Sequence, residues 1–416
     1  TEIFAGISTF LALSYIFVVN PAILATAGMD TSAVFFATVV GSVLTTLLMG
    51  LWAKLPFAVA PGLEMNAFVA FVVVGILGFT WQGALGAVFW SGVLTLILSY
   101  TSLRVEIIKA IPNTLKSGLA AAVGVFLLLI ALKVSGILLY EGIQLHAIGL
   151  LTSKEALIFY TGLLLVFILR RMKIPGAVLL SIIGAAIFAH ALGFSQAINP
   201  IEFSPKLFSA IGALDLGIIL NPKIWSVILI LFILDFYGSI AKFIGLTRNT
   251  TMIDPLGNLP HMKEGLIVDG LGTIAGATVG TSNLITYVES AVGIGEGGRT
   301  GLVAVVIAIL MSAFLFLIPV INLIPVAATT GALFFVGLGL LPKVQELKSY
   351  SKTDNLAILA MILVTFLTFG LDKAMFAGFA VFVVLLILGG QWRQVNRYLA
   401  ASTVLLLLSI LLSGGS

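Results

Sequence analysis

Carboxylates are scarce in this sequence, and one sits where a charge is most costly. Glu289 lies in Thr281-Ser-Asn-Leu-Ile-Thr-Tyr-Val-Glu289-Ser290, inside an apolar segment of a strongly apolar chain. A charge at membrane depth is costly unless it faces a cavity or a partner. The run Leu284–Tyr287 before it favours strand, and the Gly-rich Gly293-Ile-Gly-Glu-Gly-Gly298 follows. Non-helical backbone at that depth persists only where protein or a water-filled cavity surrounds it. Both exceptions in one place mark a site in a broken helix, where Glu289 can grip a ligand or a proton. The plainer reading is a carboxylate answering a helix dipole.

Few other polar groups sit at comparable depth. Asp235 lies in Leu231-Phe-Ile-Leu-Asp235-Phe-Tyr-Gly-Ser-Ile-Ala-Lys242. Lys242 shares its helix face, but two turns, about 10 Å, separate them, too far for a direct pair. Glu64 and Asn66 open a helix in Leu55-Pro-Phe-Ala-Val-Ala-Pro-Gly-Leu-Glu64-Met-Asn66-Ala-Phe68. Glu64 reads equally as a proton site or as the partner of a lysine such as Lys116 or Lys242. Asn66 suits a planar polar ligand or a helix cap. Phe68, Tyr237 and Tyr287 can stack on a flat ligand, and Asn283, Thr286 and Val288 belong to the same candidate site. The proton-coupling candidates are Asp235, Glu64 and Glu289. Asp269 is one more acid within an apolar segment. The small residues of Gly270–Thr278 point to close helix packing rather than a nucleotide loop.

The elements that position these groups must cross a bilayer. Of 416 residues, 60% are hydrophobic and 9% charged, whereas a soluble domain carries roughly 25% charged residues. At about 20 residues per span, the chain has room for some 12 to 15 spans. It holds no cysteine, which excludes disulfides and thiolate metal sites. Its three histidines are far apart, so no metal or other cofactor is expected. The net charge of +4 reflects loop lysines and arginines, not a nucleic-acid surface. The sequence starts at Thr1 rather than Met, so a short preceding piece is expected.

Apolar spans fall near 3–19, 32–53, 55–76, 80–100, 115–132, 154–169 and 174–193. After a polar stretch they resume near 222–246, 264–280, 281–297, 300–320, 322–341, 355–371 and 373–390. Residues 398–412 are an extra span or an interfacial helix. With a cytoplasmic N-terminus, alternation leaves Lys133, Lys154, Lys206, Lys223 and Lys373 outside and the others of the 21 Lys and Arg inside. That is a strong positive-inside bias. Seven is odd, so the second set inserts upside down. The expected architecture is an all-α polytopic membrane protein of fourteen spans in two inverted repeats, 1–193 and 222–390. A connector, 194–221, joins them, and a C-terminal segment, 391–416, follows.

The repeat pairs the third span with the tenth. Each has a short extended run, a break, and then a polar cluster opening a half-helix. A six-residue strand of about 20 Å and a ten-residue helix of about 15 Å together cross the ~30 Å core. The two strands can pair and satisfy backbone that lipid cannot. Inverted repeats with broken spans are a transporter signature, with the site at mid-membrane.

At this point the motifs resemble those of the nucleobase–cation symporter (nucleobase–ascorbate transporter) family, in its azaguanine-like purine permease branch. The matching stretches are Thr1–Phe10 with Val19-Asn-Pro21, Ala60–Phe68, Lys116–Gly136, Gly280–Gly293 and Glu296-Gly-Gly-Arg-Thr-Gly301. The resemblance implies a core domain of spans 1–4 and 8–11 and a gate domain of spans 5–7 and 12–14. It implies import of a purine (guanine/hypoxanthine or adenine) across the inner membrane by alternating access, with a proton rather than sodium as coupling ion. It places Asp235 and Glu289 on the base, with Asn66 beside them. Family members can dimerise. Four positions depart from the branch pattern: Gly238 stands for a second Asp, Lys242 stands near a Thr, Glu64 for a small residue, and Asn283 for a Thr. Alternatives are xanthine or uracil as the base, or an anion transporter of the same fold. Two acids in the site would repel a divalent anion. A channel or membrane enzyme is disfavoured, because no nucleophile–base or metal constellation is visible.

Overall fold

The computed structural model describes residues 1–101, 112–141, 144–194, 205–247, 250–253, 259–317 and 323–412. Six helices among these are long and apolar enough to cross a membrane, and shorter apolar helices accompany them. The first apolar stretch is two helices, α1 (Glu2–Leu13) and α2 (Ile16–Ala25), joined at Ser14–Tyr15. Next comes α3 (Thr31–Leu51), whose start is fixed by Asp30 accepting from Ser32 N and Ala33 N at 3.0 and 2.9 Å. These bonds satisfy two of the four backbone donors that a helix N-terminus leaves free.

The segment after α3 changes conformation three times. Strand β1 (Val59–Pro61) leads to the short helix α4 (Leu63–Ala67), which continues as a π-helix over Phe68–Val74. Helices α5 (Trp81–Tyr100) and α6 (Asn113–Val134) follow. A hairpin then forms from β2 (Leu138–Glu141) and β3 (Gln144–Ile148). This second small sheet adds strand outside the two broken segments. A search for 20-residue apolar runs passes over strands this short, although Tyr and Ile favour them. Helices α7 (Lys154–Arg171) and α8 (Ala177–Ala191) complete the first half.

Residues 195–204 of the connector lie outside the described residues. The remainder folds back over the first half, with Asp215 N donating to Gln82 O at 2.9 Å. The second half runs through α9 (Ile224–Thr247), α10 (Met262–Val279), β4 (Leu284–Thr286), α11 (Ser290–Gly295) and α12 (Gly301–Ser312). It continues as α13 (Val326–Gly339), α14 (Val344–Ser349), α15 (Lys352–Thr368), α16 (Leu371–Leu388) and α17 (Arg397–Leu412). The last segment, 398–412, is therefore helical, and it packs on α16 and α9.

Two short strands far apart in sequence hold the centre. β1 and β4 pair antiparallel, with Val59 opposite Thr286, Ala60 opposite Ile285 and Pro61 opposite Leu284. Tyr287 N donates to Ala58 O at 2.9 Å and Gly62 N to Asn283 O at 3.0 Å, extending the ladder at both ends. Thr46 serves the outer edge of β1, accepting from Val59 N and donating to Val59 O, both at 3.0 Å. Every strand residue here is buried, so these bonds replace ones that water would otherwise make.

Most helix packing falls in two sets, which α17 and the contact of α13 with α2 bridge. α10 packs on α5 and α3, α9 on α5, and α12 on α3 and α1. Elsewhere α13 packs on α6, α7 and α8, and α15 on α6 and α16. The small residues of α10 are what let it approach the β4 segment. A Cβ at Gly276 would lie 2.4 Å from Ser282 O, and Gly280 ends the helix at φ +102°, a conformation that other residues rarely adopt.

Candidate functional site

The ends of β1 and β4 open onto one cavity of about 720 Å³. Gly62, Leu63 and Glu64 border it from the first broken segment, and Tyr287, Val288, Glu289 and Ala291 from the second. α9 contributes Ile233, Leu234 and Lys242, and the far side is closed by Leu119, Val123 and Leu127 of α6, Val336 of α13 and Leu340 just after it. The cavity extends to Lys343 and Glu346 at the start of α14.

Glu289 stands at the N-terminus of α11, half-buried against this space. Tyr15, at the junction of α1 and α2, donates its hydroxyl to Glu289 Oε1 at 2.7 Å. Sequence reasoning missed Tyr15, and the signal available was a polar pair, Ser14–Tyr15, interrupting an apolar run. Tyr287 donates to Pro61 O at 2.5 Å and so ties the second broken segment to the first. Lys242 Nζ lies 3.5 Å from Glu64 Oε1, with the side chains 20% and 21% exposed. Lys242 is thus a partner of Glu64. The side chains of Lys116 and Tyr237 lie outside the described residues.

A second polar layer lies beneath the cavity wall. Asp235 is fully buried, and its Oδ2 accepts from Thr273 Oγ1 at 2.9 Å and Asn283 Nδ2 at 3.4 Å. Asn283 Nδ2 also reaches Ser91 Oγ at 3.3 Å. Thr286 donates to Asp269 Oδ1 at 3.0 Å, which draws in a further buried acid. Ser282 donates to Asn66 Oδ1. Asp235, Asn66, Asn283 and Thr286 are fully buried and Phe68 is packed in the core, so these candidates stand behind the cavity rather than on its surface. Glu64, Tyr287, Val288 and Glu289 are the candidates that line it.

Within this layer, Asp235 Oδ1, Asp269 Oδ2, Asn283 Oδ1 and Asn66 Nδ2 have no hydrogen-bond partner among the described residues. A buried polar oxygen without a donor is costly, so this layer is not fully satisfied by the protein's own groups. Among the described residues, no group of three or more His, Cys, Asp or Glu is placed to hold a metal ion.

Long apolar helices around a cavity with a polar floor, built on two interrupted segments, define a multi-pass membrane transporter, not an enzyme. The chain belongs to the permease family (Xan_ur_permease), whose model matches residues 1–375. It is 34% identical over 411 residues to the adenine permease AdeP of Escherichia coli, covering 99% of this chain and 92% of that protein. It is 31% identical over 417 residues to the guanine/hypoxanthine permease PbuO of Bacillus subtilis, covering 98% and 96%. Its fold is similar to that of the transmembrane domain of the cyanobacterial bicarbonate transporter BicA. The TM-score is 0.66 at 18% identity, covering 91% of this chain and 96% of that one.

Proposed function

We propose that the protein imports a purine nucleobase across the inner membrane by proton symport with alternating access. Glu289 carries the reading: an acid at membrane depth, oriented by Tyr15, on the floor of a cavity otherwise rich in apolar side chains. A purine presents flat faces to such walls and ring N–H groups to a carboxylate. The names of the relatives, an adenine permease and a guanine/hypoxanthine permease, support a purine over other flat ligands.

In this reading β1–α4 and β4–α11 are the broken third and tenth spans of two inverted seven-span repeats, with the N-terminus in the cytoplasm. α1–α5 with α9–α12 form the core, and α6–α8 with α13, α15 and α16 the gate. Rocking or elevator-like motion of one against the other would expose the cavity alternately to each side. On that orientation Lys343 and Glu346 mark a cytoplasmic mouth. Asp235 behind the floor, and Glu64 and Glu289 on it, are the candidate proton carriers.

Uptake of radiolabelled hypoxanthine, guanine, adenine and uracil into a permease-deficient strain tests the proposal. Saturable purine uptake that collapses with the pH gradient supports it. No uptake of any base, together with no ligand-induced shift in melting temperature, refutes it. Glu289→Gln is expected to abolish accumulation while the protein stays folded, and wild-type rates would remove Glu289 from the mechanism.

A further inference from the structure

The geometry points to Glu64 and Lys242 as a specificity-determining clasp, which parts to read the adjacent N–H and carbonyl oxygen of a 6-oxopurine. This rests on the purine reading above and adds a preference within it. The two side chains come from different elements, α4 and α9, and border the same cavity as Glu289. Their separation is 3.5 Å, whereas a closed ammonium–carboxylate hydrogen bond is about 2.7–2.9 Å. Each side chain keeps about a fifth of its surface open. The pair is therefore loosely joined, and ligand atoms can reach it.

Neighbouring polar groups are already engaged. The Tyr15 hydroxyl is donated to Glu289 and the Tyr287 hydroxyl to the Pro61 carbonyl. Leu63, Ile233 and Leu234 offer no donor. Lys343 lies beyond, on the residue preceding α14. Among the described residues, Lys242 is the charged donor beside the cavity floor for a carbonyl oxygen. An ammonium only donates and an ionised carboxylate only accepts. A ligand that parts the two must give each a new partner, or it leaves two charges unpaired. The N1–H and O6 of a 6-oxopurine stand side by side in that order. Adenine offers Lys242 a ring nitrogen, a weaker acceptor than a carbonyl oxygen. The clasp therefore favours oxopurines relative to adenine, whichever base the rest of the cavity prefers.

The test compares hypoxanthine with adenine, by uptake KM in cells and by binding to purified protein in nanodiscs. Lys242→Met is expected to shift the hypoxanthine-to-adenine preference toward adenine by about tenfold, the loss of one charge-assisted hydrogen bond. Lys242→Arg should retain the wild-type preference. An equal change for both bases in Lys242→Met, or none, overturns the inference and indicates a bridge that only holds α4 to α9. If that variant does not fold, Glu64→Gln with Lys242→Met replaces the pair with neutral side chains. A shift of the hypoxanthine-to-adenine preference toward adenine there supports the clasp, and an unchanged preference overturns it. A wild-type protein that neither binds nor moves any purine refutes the proposed function itself, a result distinct from wild-type transport with an unchanged preference in the variants.

Discussion

Removing one oxygen atom from Tyr15 tests how the acid on the cavity floor is held. Tyr15 is 3% exposed and its hydroxyl lies 2.7 Å from Glu289 Oε1. A hydrogen bond to a charged group contributes about 1.5–3 kcal/mol. Glu289 is half-buried, so water can take the place of the lost hydroxyl, and the lower end applies. About 1.5 kcal/mol corresponds to roughly tenfold in affinity. Tyr15→Phe leaves no orphaned polar atom on the tyrosine side, so the fold should tolerate it. The cost should fall on the ligand complex, because a carboxylate free to turn must be reoriented at each binding event. The expected outcome is a purine KM raised about tenfold with the melting temperature nearly unchanged. A double-mutant cycle with Glu289→Gln sharpens the assay. If Tyr15 acts through the carboxylate, Tyr15→Phe should cost much less binding affinity in the Glu289→Gln background. A KM within about twofold of wild type, in a protein shown to be folded, would refute the argument that Tyr15 orients Glu289.

The remaining predictions concern the frame. Gly276→Ala places a methyl 2.4 Å from Ser282 O and 2.9 Å from Leu284 Cγ, so α10 and the β4 segment must separate. A destabilisation of about 1–3 kcal/mol or more is expected, read as a lower melting temperature in detergent. Glu2 accepts from Arg299 N at 3.0 Å and from Thr300 Oγ1 at 2.8 Å, joining the start of the chain to the turn before α12. Glu2→Ala should cost about 0.5–2 kcal/mol, as loss of a cap does. An unchanged melting temperature would show that the turn holds without it.

What could be read in advance was local. Pro61-Gly62 forbids a continuous helix, the Leu284–Thr286 run favours strand, and Glu289 is conspicuous because so little around it is charged. The 270–278 small residues announced close packing, and Gly270, Gly272 and Gly276 each meet a neighbour that a side chain would strike. What could not be read was which distant group meets which. Tyr15 reaches Glu289 across 274 positions, and Asn66 meets Ser282 across 216. Periodicity places a residue on a face of its own element but does not name the facing element. For the same reason Asp235 and Asn283 looked like cavity residues, whereas of the candidate residues Glu64, Tyr287, Val288 and Glu289 line the cavity. The β2–β3 hairpin escaped notice because its apolar run is far shorter than a membrane span.

The pairing of β1 with β4 also sets a schedule for synthesis. The first strand segment leaves the ribosome long before its partner, since Pro61 and Tyr287 are 226 positions apart. At about 5–20 residues per second, the wait is roughly 10–45 s. Through that interval the backbone of β1 lacks the partner that completes its ladder, in a setting that does not tolerate exposed amide groups. The nascent first half must be sheltered, by the insertion machinery or at the bilayer surface, until the second half arrives. A chain truncated before β4 should therefore be cleared by quality control rather than persist as half a protein.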